Sequence, residues 1–82
     1  MKRIANNVAV ETILFCVSGN QHICVIDKEN PQKSDGTMVY DGRALDFTHS
    51  VGYVKYMRAK VHGIEVSGDH LTFTVCTKYE KY

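Results

Sequence analysis

Two hairpin-type turn signatures constrain this chain more than any other feature. Val17-Ser18-Gly19-Asn20 recurs as Val66-Ser67-Gly68-Asp69, each copy between runs rich in Val, Ile, Phe, Thr and Cys. A third turn dipeptide, Asp41-Gly42, lies between them. Gly-Asn, Gly-Asp and Asp-Gly supply the positive φ that two-residue β-hairpin loops require. The turn preference alone accounts for the repetition, so no internal repeat is inferred. The spacing predicts an all-β, mainly antiparallel meander of about five or six strands.

A two-residue loop fixes the register of its strands. With Gly19-Asn20 as the loop, Val17 faces His22, Phe15 faces Cys24 and Ile13 faces Ile26, which places Phe15 in the core. Both faces of that hairpin are apolar, as expected for strands covered on two sides. The second hairpin turns at Asp41-Gly42, between Thr37-Met38-Val39-Tyr40 and Arg43-Ala44-Leu45-Asp46-Phe47. A short helical turn is expected near 47–52, where Thr48 and Ser50 are suited to capping one. The third hairpin runs from Val54 to Val66, turns at Gly68-Asp69 and returns from Leu71 to Tyr79. Its apolar residues change face near Gly63, where a bulge or bend is expected. Long bent strands suit closure into an SH3-like barrel or a highly bent sheet. The polar segment 28–36 holds the single proline and reads as an exposed loop.

The chain has 82 residues, with 10 Lys and Arg against 9 Asp and Glu, for a net charge of +1. One small β domain over residues 1–82 is expected, burying about 60–65% of its unfolded surface. The charge balance argues against general polyanion binding, so a basic patch would have to be local. Met1-Lys2-Arg3 resembles the start of a leader, but Glu11 and Thr12 interrupt the apolar stretch that follows. No apolar run approaches the ~18 residues of a membrane span. The 3 cysteines show no CxxC spacing, which points to a reducing cytoplasm.

Four constellations carry chemical meaning. On the expected long strand, Tyr56, Arg58, Lys60 and His62 alternate, joined across the hairpin by Tyr79 and Lys81. Arg and Lys neutralise phosphates and Tyr stacks bases, so such a face suits RNA or single-stranded DNA. Ordinary solvation of a β-ribbon accounts for the same residues, and the near-neutral charge favours it. His22-x-Cys24 puts two metal-ligand types on one strand face, but the expected register sends Cys16 to the other face. A zinc site needs about four converging ligands, so no metal is assigned. Cys76 with His62 or His70 would form a nucleophile–base pair, but the register separates Cys76 from His62 and no orienting acid is evident. Finally, tyrosines near strand ends, with Lys28, Glu29, Asn30 and Lys33 on the polar loop, suit a protein interface.

No catalytic set and no cofactor are expected. In size and bare architecture the chain resembles small phage or mobile-element accessory proteins. The missing catalytic set, the near-neutral charge and the exposed aromatics lead to the expectation of a non-enzymatic binding module, an inhibitor or adaptor of that type acting on a protein partner. Binding of RNA or single-stranded DNA through the aromatic-basic face is the alternative. An exposed edge strand would also admit a homodimer.

Overall fold

Two antiparallel hairpins lie side by side, joined at the centre of one sheet by a parallel pair. The computed structural model describes residues 8–30, 32–33 and 35–78. Its elements are α1 (Val10–Leu14), β1 (His22–Asp27), β2 (Thr37–Arg43), α2 (Ala44–Thr48), α3 (Tyr53–Tyr56), β3 (Gly63–Ser67) and β4 (His70–Val75). The 4-stranded sheet has the order β2-β1-β4-β3. β1 pairs antiparallel with β2 and parallel with β4, and β3 pairs antiparallel with β4. The polar 28–36 segment is thus the connection of the first hairpin. The chain then crosses the sheet through α2 and α3 before starting the second.

Burial follows the two-residue alternation of the central strands. Ile23, Val25, Phe73 and Val75 are fully buried and point to one face. Val10, Ala44, Phe47 and Tyr56 from the helices, and Ala59 and Val61 from the segment between α3 and β3, pack against them. Phe47 is the centre of this layer. Its ring lies 4.6 Å from that of Tyr40 and meets Tyr53 edge-on at 5.3 Å. Burying such a side chain is worth about 1.5–3 kcal/mol. The N-terminal segment is tied to the crossover by backbone bonds from Val10 to Ala59 (3.0 Å) and from Glu11 to Met57 (2.9 Å).

The expected hairpin ahead of β1 does not form. Val10, Ile13, Leu14 and Val17 all face the core. They stand at i, i+3, i+4 and i+7, the stripe of a helix, and residues 10–14 are α1. Phe15, beyond its end, is 89% exposed rather than core. Gly19-Asn20 serves instead as a reverse turn into β1, closed by Gln21 N–H donating to the Ser18 carbonyl at 3.0 Å. Asp41-Gly42 is not a turn either: β2 runs through it to Arg43. The expected return strand 43–47 is α2, whose buried residues Ala44 and Phe47 are three apart. The helical turn expected near 47–52 therefore begins earlier.

The third hairpin forms around Gly68-Asp69 with the expected partners, Val66 opposite Leu71 and Ile64 opposite Phe73. Its outgoing strand is much shorter than expected, because 53–56 is α3. β3 starts at Gly63, where the apolar pattern changes face. His62 donates its N–H at 2.8 Å to the carbonyl of Thr74, which is also the partner of Gly63. A second irregularity lies in β2. Val25 pairs with Tyr40 and Ile26 with Met38, leaving Val39 as the extra residue of a bulge.

The fold is mainly β, with a mixed sheet in place of the expected meander of five or six strands. The sheet does not close into a barrel. β2 and β3 each have a single strand neighbour and remain its two edges. The parallel β1–β4 pair is the reason, because it brings the hairpins together centrally instead of chaining them around.

Candidate functional site

The face of the sheet opposite the core carries the strongest concentration of chemistry. On β1 the alternation that buries Ile23 and Val25 turns His22 and Cys24 the other way. The registers then build two rows across all four strands. Arg43, His22, His70 and Ser67 are successive partners in one row. Asp41, Cys24, Thr72 and Glu65 are partners in the next.

Within these rows three ligand-type side chains converge. His22 Nε2 is hydrogen bonded to the Asp41 carboxylate. The Cys24 thiol donates to the same carboxylate oxygen at 3.3 Å. The imidazoles of His22 and His70 stack, with centroids 3.9 Å apart and planes 24° from parallel. The side chains of His22 and Asp41 are 36% and 52% exposed, so the cluster opens to solvent. The hydrogen bond from His22, seconded by that from Cys24, holds the Asp41 carboxyl below the usual carboxylate range. Burial pushes the Cys24 thiol up, and the bond to Asp41 and its charge add to the rise.

Neighbouring groups brace this face. Gln21 Nε2 donates to the His22 carbonyl at 3.0 Å and also to the Asp69 carbonyl, linking the starts of β1 and β4. Arg43 leaves its row and grips Asp46 of α2 with two nitrogens, at 3.1 and 3.2 Å.

The residues of the expected aromatic-basic stripe do not share a strand. Tyr56 is buried in α3, with Lys55 Nζ 5.3 Å from its ring centroid. Arg58 is exposed in the turn that follows α3. Lys60 bridges to Ala9, and His62 is half-buried just ahead of β3. Helix formation over 53–56 is what breaks the alternation. Tyr79, Lys81 and Tyr82 lie outside the described residues, as do Met1–Asn7 and with them the leader-like start. Of the tyrosines near strand ends, Tyr40 and Tyr53 are half-buried, with their rings against Phe47.

The loop residues stand together at one end of the sheet. Lys28, Glu29 and Lys33 line a cleft of about 460 Å³, shared with Lys55, Tyr56 and Lys78. Lys33 pairs with Glu29 at 3.4 Å. Asn30 has a local role: its side-chain oxygen accepts the backbone N–H groups of Gln32 (2.9 Å) and Lys33 (3.2 Å).

Sequence reasoning placed His22 and Cys24 on one strand face, as found. Cys16 stands apart from them at the end of α1, its thiol donating to the Thr12 carbonyl at 3.7 Å. Asp41 and His70 were missed as members of this cluster. Asp41 was hidden because Asp-Gly reads as a turn. His70 joins the site only through the parallel β1–β4 pairing, for which no local signal exists.

No helix among the described residues is long and apolar enough to cross a membrane. No protein-family model, curated protein or solved structure matches the chain.

Proposed function

We propose that this chain is a non-enzymatic protein-binding module, an inhibitor or adaptor that receives a partner's strand along β3. The observation that carries the reading is the exposure of that edge. Ile64 to Ser67 are all exposed, and Val66, although apolar, is 72% exposed. Ser67 and His70 flank the two-residue loop and bond to each other, so the backbone groups of Ile64 and Val66 turn outward. An added strand gains affinity from such main-chain groups and specificity from the alternate side chains. The near-neutral charge and the dispersal of Tyr56, Arg58, Lys60 and His62 over several elements favour a protein over a nucleic acid.

Affinity capture from the native host with the wild type and with Val66→Pro tests this. Proline removes the outward N–H while leaving the β3–β4 bonds, a change that edge strands tolerate. A protein recovered by the wild type and lost with the proline variant is expected. Recovery of the same protein by both, or of nuclease-sensitive material by the wild type, would overturn the reading. A dimer abolished by the same substitution would identify the partner strand as a second copy of β3.

A further inference from the structure

We propose that His22, Cys24 and Asp41 form a binding site for one divalent cation of the zinc class, on the open face of the sheet.

The donor set is the first argument. An imidazole, a thiol and a carboxylate together suit Zn²⁺ and its borderline neighbours, whereas Mg²⁺ and Ca²⁺ select oxygen donors. The geometry is the second. One potential ligand atom from each residue falls within a group no more than 4.8 Å across. Zinc bonds of about 2.0–2.3 Å at tetrahedral angles hold ligand atoms about 3.3–3.8 Å apart. The Cys24 sulfur and the Asp41 oxygen already stand 3.3 Å apart. Only small side-chain adjustments separate this arrangement from a coordination sphere.

The scaffold is the third argument. All three residues lie on paired strands rather than loops, with Cys24 and Asp41 as direct partners across β1 and β2. Rigid elements hold ligands more accurately than loops do. His70 stacks on His22 and restrains the plane of its ring. Three protein ligands on a solvent-facing surface leave a fourth position for water or for a donor from a partner, as in open zinc sites. The cation would displace the proton that the Cys24 thiol now donates to Asp41, and the imidazole would bind through a ring-nitrogen lone pair, so binding releases the thiol proton.

Calorimetric titration of the reduced protein with Zn²⁺, and absorbance titration with Co²⁺, test the site. The wild type should bind one ion per chain and show a sulfur-to-cobalt charge-transfer band. Cys24→Ser should abolish the band, and Asp41→Asn should weaken Zn²⁺ more than about tenfold. Cys16→Ser, which alters the exposed thiol beyond α1, should change neither. Absence of saturable one-to-one binding, a band that survives Cys24→Ser, or unchanged affinity in Asp41→Asn would overturn the site. Asp41 is half-exposed, so its asparagine variant keeps the test decisive if Cys24→Ser fails to fold.

Discussion

The ring of Tyr40 lies over Gly42. A Cβ at residue 42 would stand 2.7 Å from Tyr40 Oη and 3.1 Å from Cζ. The phenol is held there by donating to the Arg43 carbonyl at 2.7 Å and by its contact with Phe47. Gly42 is therefore small because a neighbour occupies its side-chain space, not because the chain turns. Gly42→Ala should destabilise the fold by about 1–3 kcal/mol through overpacking. In a Tyr40→Val background most of that cost should vanish. Urea unfolding of the double-mutant cycle reads the coupling. Additive effects would show that Tyr40 is not the obstacle.

The two Ser-Gly signatures should respond differently to substitution. Gly68 has φ of +60°, with nothing near its would-be Cβ. Gly68→Val should cost about 1–3 kcal/mol from backbone strain alone, and Gly68→Asn much less, because asparagine tolerates this region. Gly19 has no positive φ, and its Cβ would meet only Leu45, at 3.3 Å. The contact is with Leu45 Cβ, beside a 3.0 Å bond from Leu45 N–H to the Gly19 carbonyl, so relief takes a shift of a few tenths of an ångström and Gly19→Ala should cost about 1 kcal/mol at most. Equal losses at the two positions in thermal melts would contradict this assignment.

Phenylalanine truncation separates α1 from the strand expected in its place. Phe15→Ala should change stability by no more than about 0.5 kcal/mol, as for other surface positions. Phe47, 1% exposed, should cost about 3–5 kcal/mol when cut to alanine. A large effect at Phe15 in denaturant unfolding would mean that the 10–15 segment packs differently.

Alkaline pH should test the half-buried phenols Tyr40 and Tyr53. Burial raises the pKa of Tyr40, with Asp46 adding to the rise, and that of Tyr53, with Glu11 adding. A raised pKa means that the folded state keeps its proton longer than the unfolded chain. The stability this gives is complete below the ordinary phenol value of about 10 and is lost as pH rises beyond it. Unfolding midpoints should therefore fall above about pH 10, and fall less in Tyr53→Phe. An identical alkaline decline in that variant would refute the contribution of Tyr53.

What the sequence disclosed follows from how local each signal is. The Gly68-Asp69 hairpin was legible because its loop, its register and its positive φ all lie within a few residues. The 10–17 segment was not. Val10, Ile13, Leu14 and Val17 make a helical stripe, yet the same run alternates well enough to read as a strand, and a short apolar run does not decide between the two. Tyr53 and Tyr56 posed the same ambiguity within the apparent long strand. The sheet order was out of reach for another reason. The pairing of His22 with His70 spans most of the chain and rests on burying Ile23, Val25, Phe73 and Val75 beneath the helices. Half of the candidate site, His22 and Cys24, was visible as a two-residue spacing. Asp41 and His70 entered only with that topology.

Asp27 locks the far end of the same parallel pair. It is the last residue of β1, opposite Val75. Its carboxylate accepts the Thr77 N–H at 3.1 Å and the Thr77 hydroxyl at 2.6 Å. Lys28 N–H then donates to the Val75 carbonyl at 2.9 Å, extending the β1–β4 contact past the strand end. A pair of bonds to a half-buried carboxylate is stronger than the same bonds between neutral groups. Asp27→Ala should cost about 1–3 kcal/mol, because it also leaves the Thr77 N–H without its acceptor. Thr77→Val removes only the hydroxyl bond and should cost less. The discriminating measurement is amide hydrogen exchange at Val75, Cys76 and Thr77. Asp27→Ala should accelerate exchange there far more than in the β3–β4 hairpin near Gly68. Uniform acceleration across both would mean that Asp27 supports the fold globally and does not lock the strand end.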